Sequence, residues 1–332
     1  MDIPLSETCK SILKKILLTL KPDKYISEAI LEGEAIAVST LHSISIDSGL
    51  AFPLSISVGS TVGDYSPSDT IVSSRLPMHK LIRVKIGLYV GKNVYYMGTT
   101  VVLGEHDGTV PTFPQLTDRS ATCLAAAYIA YLLIVKQVKS RTPLVEVRNI
   151  MESVAQHFGM HLLEGVASYC LADNGVDHRL EVFQNAIDQP LVTGSLMDKD
   201  VFVLDIIVTD TADTAPRPVQ EQPYVYLPPE LPSEDKILTL GRTGQIQREL
   251  QGMRRFPLAR RHVSQANRRQ FDHYRDSMQP FVLTRLASGA NIAQILSTLQ
   301  IGPTGCLVLA GPVLPNIVKP SIQPTEEMQK YF

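Results

Sequence analysis

Nine arginines lie between Arg242 and Arg275, at positions 242, 248, 254, 255, 260, 261, 268, 269 and 275. Glu249 and Asp272 alone oppose them, so the segment carries a surplus of seven positive charges. The 332-residue chain as a whole has a formal charge of −2, which leaves the remainder at −9. Planar guanidinium groups grip phosphate oxygens through paired hydrogen bonds, so the chemistry on offer is polyanion binding, RNA foremost. Arg261, Arg268 and Arg275 are seven apart. At about 100° per residue they drift by about 20° at each step and would form one stripe on a helix. Val263, Ala266 and Tyr274 would fall on the opposite side, free to pack. A solvated helix face is the plainer reading of the same run, and the segment by itself leaves the two open.

Motifs for catalysis are missing: no HExxH, no Walker loop, no GxSxG and no GxGxxG occurs. His157 and His161 are four apart, but Gly159 at an expected helix end separates them, so loop histidines are a simpler reading than a metal pair. His178 sits in a polar stretch, and His262 and His273 lie within the basic segment as support. Cys9, Cys123, Cys170 and Cys306 make no CxxC pair, so neither zinc nor a disulfide framework is expected. No apolar run reaches the roughly 20 residues of a membrane span, and Ala121 to Val135 reads as a buried helix. Lys10, Lys14 and Lys15 interrupt the N-terminal apolar residues, unlike a signal peptide. The expectation is a cytoplasmic monomer, with the nucleus as a second compartment, no membrane and no cofactor.

These side chains need elements to hold them. A chain that is 44% hydrophobic and 19% charged has the composition of one large globular domain or two ordinary ones. Leu5, Cys9, Ile12, Leu13, Ile16, Leu17 and Leu20 recur at helical spacing until Pro22. Residues 50–58, 81–90 and 93–103 read as strands, with Gly91-Lys92 as the hairpin turn between the last two. Helices are expected near 117–138 and from Pro143 to Gly159. Val201 to Val208 is a buried strand, and residues 292–299 and 307–310 are two more. Six prolines between Pro216 and Pro232 then break the pattern. The fold class is α+β: a main body of residues 1–210 and 276–332, and an inserted subdomain at 211–275, Pro-rich and then Arg-rich. Two successive sets of strands and helices suggest a duplicated half.

Residues 49–58, Gly-Leu-Ala-Phe-Pro-Leu-Ser-Ile-Ser-Val, are followed by Val62-Gly-Asp-Tyr-Ser-Pro67. This resembles the G-[IL]-A-F-P-T-S-I-S-V … H-[FY]-[ST]-P segment of the proliferation-associated proteins, also called ErbB-3-binding proteins. It resembles their enzymatic relatives, the type II methionine aminopeptidases, as well. Leu81–Gly87, Leu163–Ser168, Asp200–Val208, Phe256–Arg261 and Gly311-Pro312 resemble further family segments in the same order. The resemblance implies a pita-bread fold, two pseudo-symmetric halves around a cleft, with an insertion in the second half.

In the aminopeptidases, two aspartates, a histidine and two glutamates hold two divalent metals, which activate a bridging water. The resemblance places these positions on Lys85, Tyr96, Tyr169, Asp205 and Leu296. A substrate-binding histidine falls on Asp64. Asp205 alone could serve, and a lysine donates where a ligand must accept. The expectation is a non-enzymatic protein with Lys85 close to Asp205. For the family the resemblance implies binding to rRNA of the large ribosomal subunit near the peptide exit tunnel. Arg261, Arg268 and Arg275 would lead that contact, with Arg254, Arg255, Arg260 and Arg269 assisting. Two alternatives stand: a residual metallo-aminopeptidase or peptide-binding cleft, and an export factor for immature large subunits.

Overall fold

The computed structural model describes residues 5–68, 73–105, 111–172, 178–220, 223–229 and 243–329. Helix α1 (Leu5–Thr19) buries Cys9, Ile12, Leu13, Ile16 and Leu17, the face its spacing requires. Helix α2 (Ile26–His42) packs beside it. Strands β1 (Ser48–Val58), β2 (Thr61–Val62), β3 (Leu81–Val90) and β4 (Asn93–Val102) follow. Gly91 turns the β3–β4 hairpin at φ +58°, a conformation that costs glycine little. Helix α3 (Arg119–Gln137) starts where the Asp118 side chain accepts from the Ala121 N–H, and α4 (Leu144–His157) follows Pro143. Strands β5 (His161–Leu162), β6 (Ala167–Leu171), β7 (His178–Phe183) and β8 (Val201–Thr209) complete this run.

After β9 (Arg217–Pro218), the chain forms β10 (Val225–Leu227), α5 (Thr243–Gly252), β11 (Leu258–Ala259), α6 (Arg268–Tyr274) and β12 (Gln279–Pro280). It returns through β13 (Thr284–Arg285), β14 (Ile292–Ile301) and β15 (Cys306–Ala310). The main sheet runs β1-β3-β4-β14-β8-β6-β7, with β15 beside β14 and β5 beside β8, and every named pair in it is antiparallel. Helices α1 and α2 cover the β1-β3-β4 half, and α3 and α4 cover β14 and β8. The halves meet at β4 and β14, where Leu296 is registered against Gly98. A Cβ at Gly98 would lie 3.1 Å from Leu296 Cβ and 2.8 Å from the Val84 carbonyl oxygen, so this seam needs a glycine.

Strand alternation sorts the side chains by face. Val84, Ile86, Leu204, Ile206 and Ile295 point into the helix-covered cores. Their neighbours Lys85, Asp205, Gln294 and Leu296 take the other face. Strands β11-β10-β12 form a small separate sheet. Tyr226, Ile246, Leu250, Leu258, Val263, Phe271 and Met278 pack beneath it as a core of their own. That small unit is drawn from residues 225–280, whereas β9 joins β13 and β2 in a ribbon of the main body. Arg242 lies outside the described residues.

The expected arginine stripe is not formed. Arg261 sits in a 3-10 turn (Arg260–His262), Arg268 opens α6, and Arg275 begins a second 3-10 turn (Arg275–Ser277). Val263 leaves helical geometry at φ −80°, ψ 137°. Glu249 on α5 takes hydrogen bonds from the Ser264 backbone and hydroxyl and from Asn267. These local bonds replace the helical ones that a continuous stripe would need.

Candidate functional site

Lys85, Gly98, Leu296 and Asp205 are consecutive partners across four strands, so they form one row on the cleft face. The row borders an open pocket of about 580 Å³ that Asp64, Arg83, Gln294 and Phe281 also line. Lys85 Nζ lies 3.1 Å from Asp64 Oδ1 and 4.4 Å from the centre of the Phe52 ring. Burial alone would push the lysine down. The charges of Asp64 and Asp205, with the Asp64 hydrogen bond, outweigh it and hold Lys85 above its ordinary value. The direct ion pair is thus to Asp64, while the expected neighbour Asp205 acts on Lys85 through its charge. Asp205 Oδ1 instead accepts from Gln294 Nε2 at 2.8 Å. Burial raises Asp205 to about 6, against the lowering effects of Lys85 and Gln294.

The other positions that the resemblance singles out serve packing here. Tyr96 is buried edge-on against Phe52, and its backbone N–H donates to Thr298 Oγ1 at 2.7 Å. Tyr169 stacks on the His178 ring with centroids 3.6 Å apart, and burial pushes its phenol well up. Leu296 is buried with Phe52, Tyr96 and Val203. Arg83 is buried on the same face and donates to the carbonyls of Gly59, Thr61 and Ile292. Burial lowers it to about 10. Among the described residues no three His, Cys, Asp or Glu side chains converge. Two carboxylates with an ammonium between them do not fit a pair of divalent cations, because the lysine supplies the charge and offers no lone pair.

The arginines of the small unit divide by role. Arg261 is drawn inward: its side chain is 4% exposed and grips Glu34 on α2 through Nε at 2.8 Å and an Nη at 2.5 Å. It also donates to the Ser66 carbonyl at 3.0 Å and hydroxyl at 2.9 Å. His262 Nε2 stands 3.1 Å from Glu34 Oε2, the oxygen that Arg261 Nε also meets, and the Leu54 N–H donates to Glu34 Oε1. Burial would raise Glu34, yet Arg261 and His262 bring it down to about 2. Arg254 donates to the Gly91 carbonyl and to Asp47 at 2.6 Å, and lies 4.5 Å over the Tyr89 ring. Phe256 stacks on that same ring. Arg260 grips Asp272 through two bonds of 2.8 and 2.9 Å, and Arg268 bonds the carbonyls of Val263 and Arg261. Arg275 lies beside Tyr226. Arg248, Arg255 and Arg269 are exposed on the outer surface.

No family model matches the chain. Over 337 aligned residues it is 25% identical to ErbB-3 binding protein 1 of Arabidopsis thaliana, covering 97% of this chain and 82% of that protein. Its fold superposes on a thermophilic Arx1 with a TM-score of 0.82 at 14% identity, covering 98% and 95% of the two chains. On a methionine aminopeptidase of Thermotoga maritima the TM-score is 0.59 at 11% identity, covering 92% and 93%. Along nearly its whole length the chain is similar in sequence to an ErbB-3 binding protein, and its fold is the pita-bread fold.

The cleft and the insertion are not equally legible in the sequence. Arg261, expected to lead an RNA contact, is an internal anchor. Its partner Glu34 was missed, because Gly33-Glu34 interrupts the apolar rhythm of α2 and that helix went unread. The signal was there: Ile26, Ile30, Ala37 and Leu41 keep helical spacing, and a lone carboxylate on that face calls for a cation. Gln294 and Asp47 carried no recognisable pattern.

Proposed function

We propose that this protein is a non-enzymatic, ribosome-associated factor that binds rRNA of the large subunit near the peptide exit tunnel. The observation carrying the reading is a near-full-length match to an ErbB-3 binding protein in a chain that sets Lys85 in its cleft row. The proposed contact surface is the outer side of the insertion, now led by Arg248, Arg255 and Arg269. Arg261 holds that surface to the body and does not meet RNA. Its arginines neutralise and position phosphates without reading bases. The protein works as a monomer in the cytoplasm, with passage through the nucleus in the export-factor alternative.

Co-sedimentation with purified large ribosomal subunits across a salt series tests this. With about six phosphate contacts, affinity falls on the order of 10³–10⁵ between about 50 and 200 mM salt. Absence of binding at low salt would refute the proposal. A second reading, a peptide-binding cleft, is favoured by the open pocket beside Asp205. Saturable binding of peptides, lost on Asp205→Asn, would select it, and peptide release in the presence of cobalt or manganese would select a residual aminopeptidase instead. The export-factor reading is selected instead by nuclear accumulation when export is blocked.

A further inference from the structure

Helix α1 offers a second cationic surface, far simpler than the insertion. Its inner face is spent on the core: Cys9, Ile12, Leu13 and Ile16 are 0% exposed and Leu17 is 2%. Its outer face shows Glu7, Lys10, Ser11, Lys14, Lys15 and Leu18, all exposed. Lys21 follows just beyond the helix end and is partly exposed. Among the described residues none of these four lysines forms an ion pair, whereas Lys24 is tied to Glu32 on α2. The contrast with the insertion is direct, since Arg254, Arg260 and Arg261 each spend their charge on a carboxylate of this chain.

The geometry points to the outer face of α1 as a phosphate-backbone docking surface for structured RNA, a second foothold beside the insertion. This inference rests on the rRNA reading above and adds a site to it. Lys10 and Lys14 are about 6 Å apart along the helix axis. That is on the scale at which charges recur along a duplex, about one per 3.4 Å of axis on each strand. Lysine is a flexible point charge, suited to an irregular backbone where arginine's fixed fork is not required. An anionic membrane is the less favoured partner. Surface-lying helices insert an apolar face, and here that face is buried in the core, leaving Leu18 as the one large apolar side chain outside. Two patches on one folded body also act together, because engagement of one raises the effective concentration of the other.

The test compares the full chain with K10E/K14E/K15E and with the charge-neutral K10Q/K14Q/K15Q. Both are titrated by co-sedimentation onto large ribosomal subunits between about 50 and 200 mM salt. Phosphatidylserine vesicles serve as the second probe, and thermal unfolding confirms that the variants fold. The expected result is about tenfold weaker subunit binding in both variants, with a salt slope shallower by about two to three. An unchanged affinity and slope overturns the α1 surface while leaving the ribosome reading in place. A weaker affinity with an unchanged slope also overturns it, since lost phosphate contacts must release fewer counterions. Binding of the unmodified protein to vesicles but not to subunits removes both readings and assigns the lysines to lipid.

Discussion

Glu34 and Asp205 are two carboxylates withdrawn from water in one protein, and they answer to that in opposite directions. Burial pushes both up. Glu34 nevertheless falls to about 2, because Arg261 meets it with two hydrogen bonds and a full charge and His262 adds a third contact. Asp205 rises to about 6, because Lys85 turns to Asp64 and Gln294 offers only a neutral donor. Here the Lys85 charge is shared by two carboxylates and only Asp64 receives its hydrogen bond, whereas the Arg261 guanidinium fork meets both oxygens of one carboxylate. The pair separates a joint built to stay ionised from a cleft where charge is left partly uncompensated.

The largest effect is expected at the joint. Arg261→Met strands Glu34 as a buried, unpaired charge and should cost about 3–5 kcal/mol. Urea unfolding measures the loss, and the added change Glu34→Gln should recover a large part of it. A loss under about 1 kcal/mol would place this pair with ordinary surface bridges and dissolve the comparison.

Next comes pH. The folded pKa of Glu34 lies below its unfolded value, so its contribution is complete above about 4.5 and is lost as pH falls toward 2. The folded pKa of Asp205 lies above its unfolded value, so the folded state takes up a proton first as pH falls from about 7 to 4. Stability should therefore rise by about 1 kcal/mol on acidification to about pH 5, and decline below about 4. Asp205→Asn should remove the rise and leave the decline. A wild-type stability that is flat from about pH 8 to 5 would refute the uncompensated cleft.

These contrasts also show what a sequence can and cannot disclose. The strands at 81–90 and 93–102 and the buried strand at 201–209 were legible because apolar alternation and a Gly-Lys turn are local signals. The sheet sets Lys85, Leu296 and Asp205, three of the positions that the resemblance singles out, in one row. The arginine stripe failed because a seven-residue repeat matches a helix only if the intervening residues stay helical. Glu249, fifteen residues before Ser264, decides that they do not. The Arg261–Glu34 joint spans 227 residues, and no periodicity encodes such a pairing.

The outer arginines sharpen the comparison from its third side. Arg248→Glu, Arg255→Glu and Arg269→Glu together should weaken subunit binding about tenfold and flatten its salt slope by about two to three, with stability unchanged within about 0.5 kcal/mol. Binding retained in full would move the interface off the insertion and leave its arginines as internal anchors.

Arg260 supplies the smallest effect and the strictest control. It grips Asp272 with the same two-bond geometry that Arg261 gives Glu34, but the side chains are 43% and 33% exposed. If geometry alone set the energy of these pairs, Arg260→Ala and Arg261→Met would cost alike. Water makes the difference: once Arg260 is gone, solvent can hydrate Asp272, and the loss should stay within about 1 kcal/mol. At Glu34 no such relief exists, since its side chain is 9% exposed. A double-mutant cycle on each pair, in the same buffer, therefore isolates burial from bond geometry. A coupling energy at Arg260–Asp272 as large as that at Arg261–Glu34 would show that the insertion's fold, and not desolvation, sets the strength of its joint.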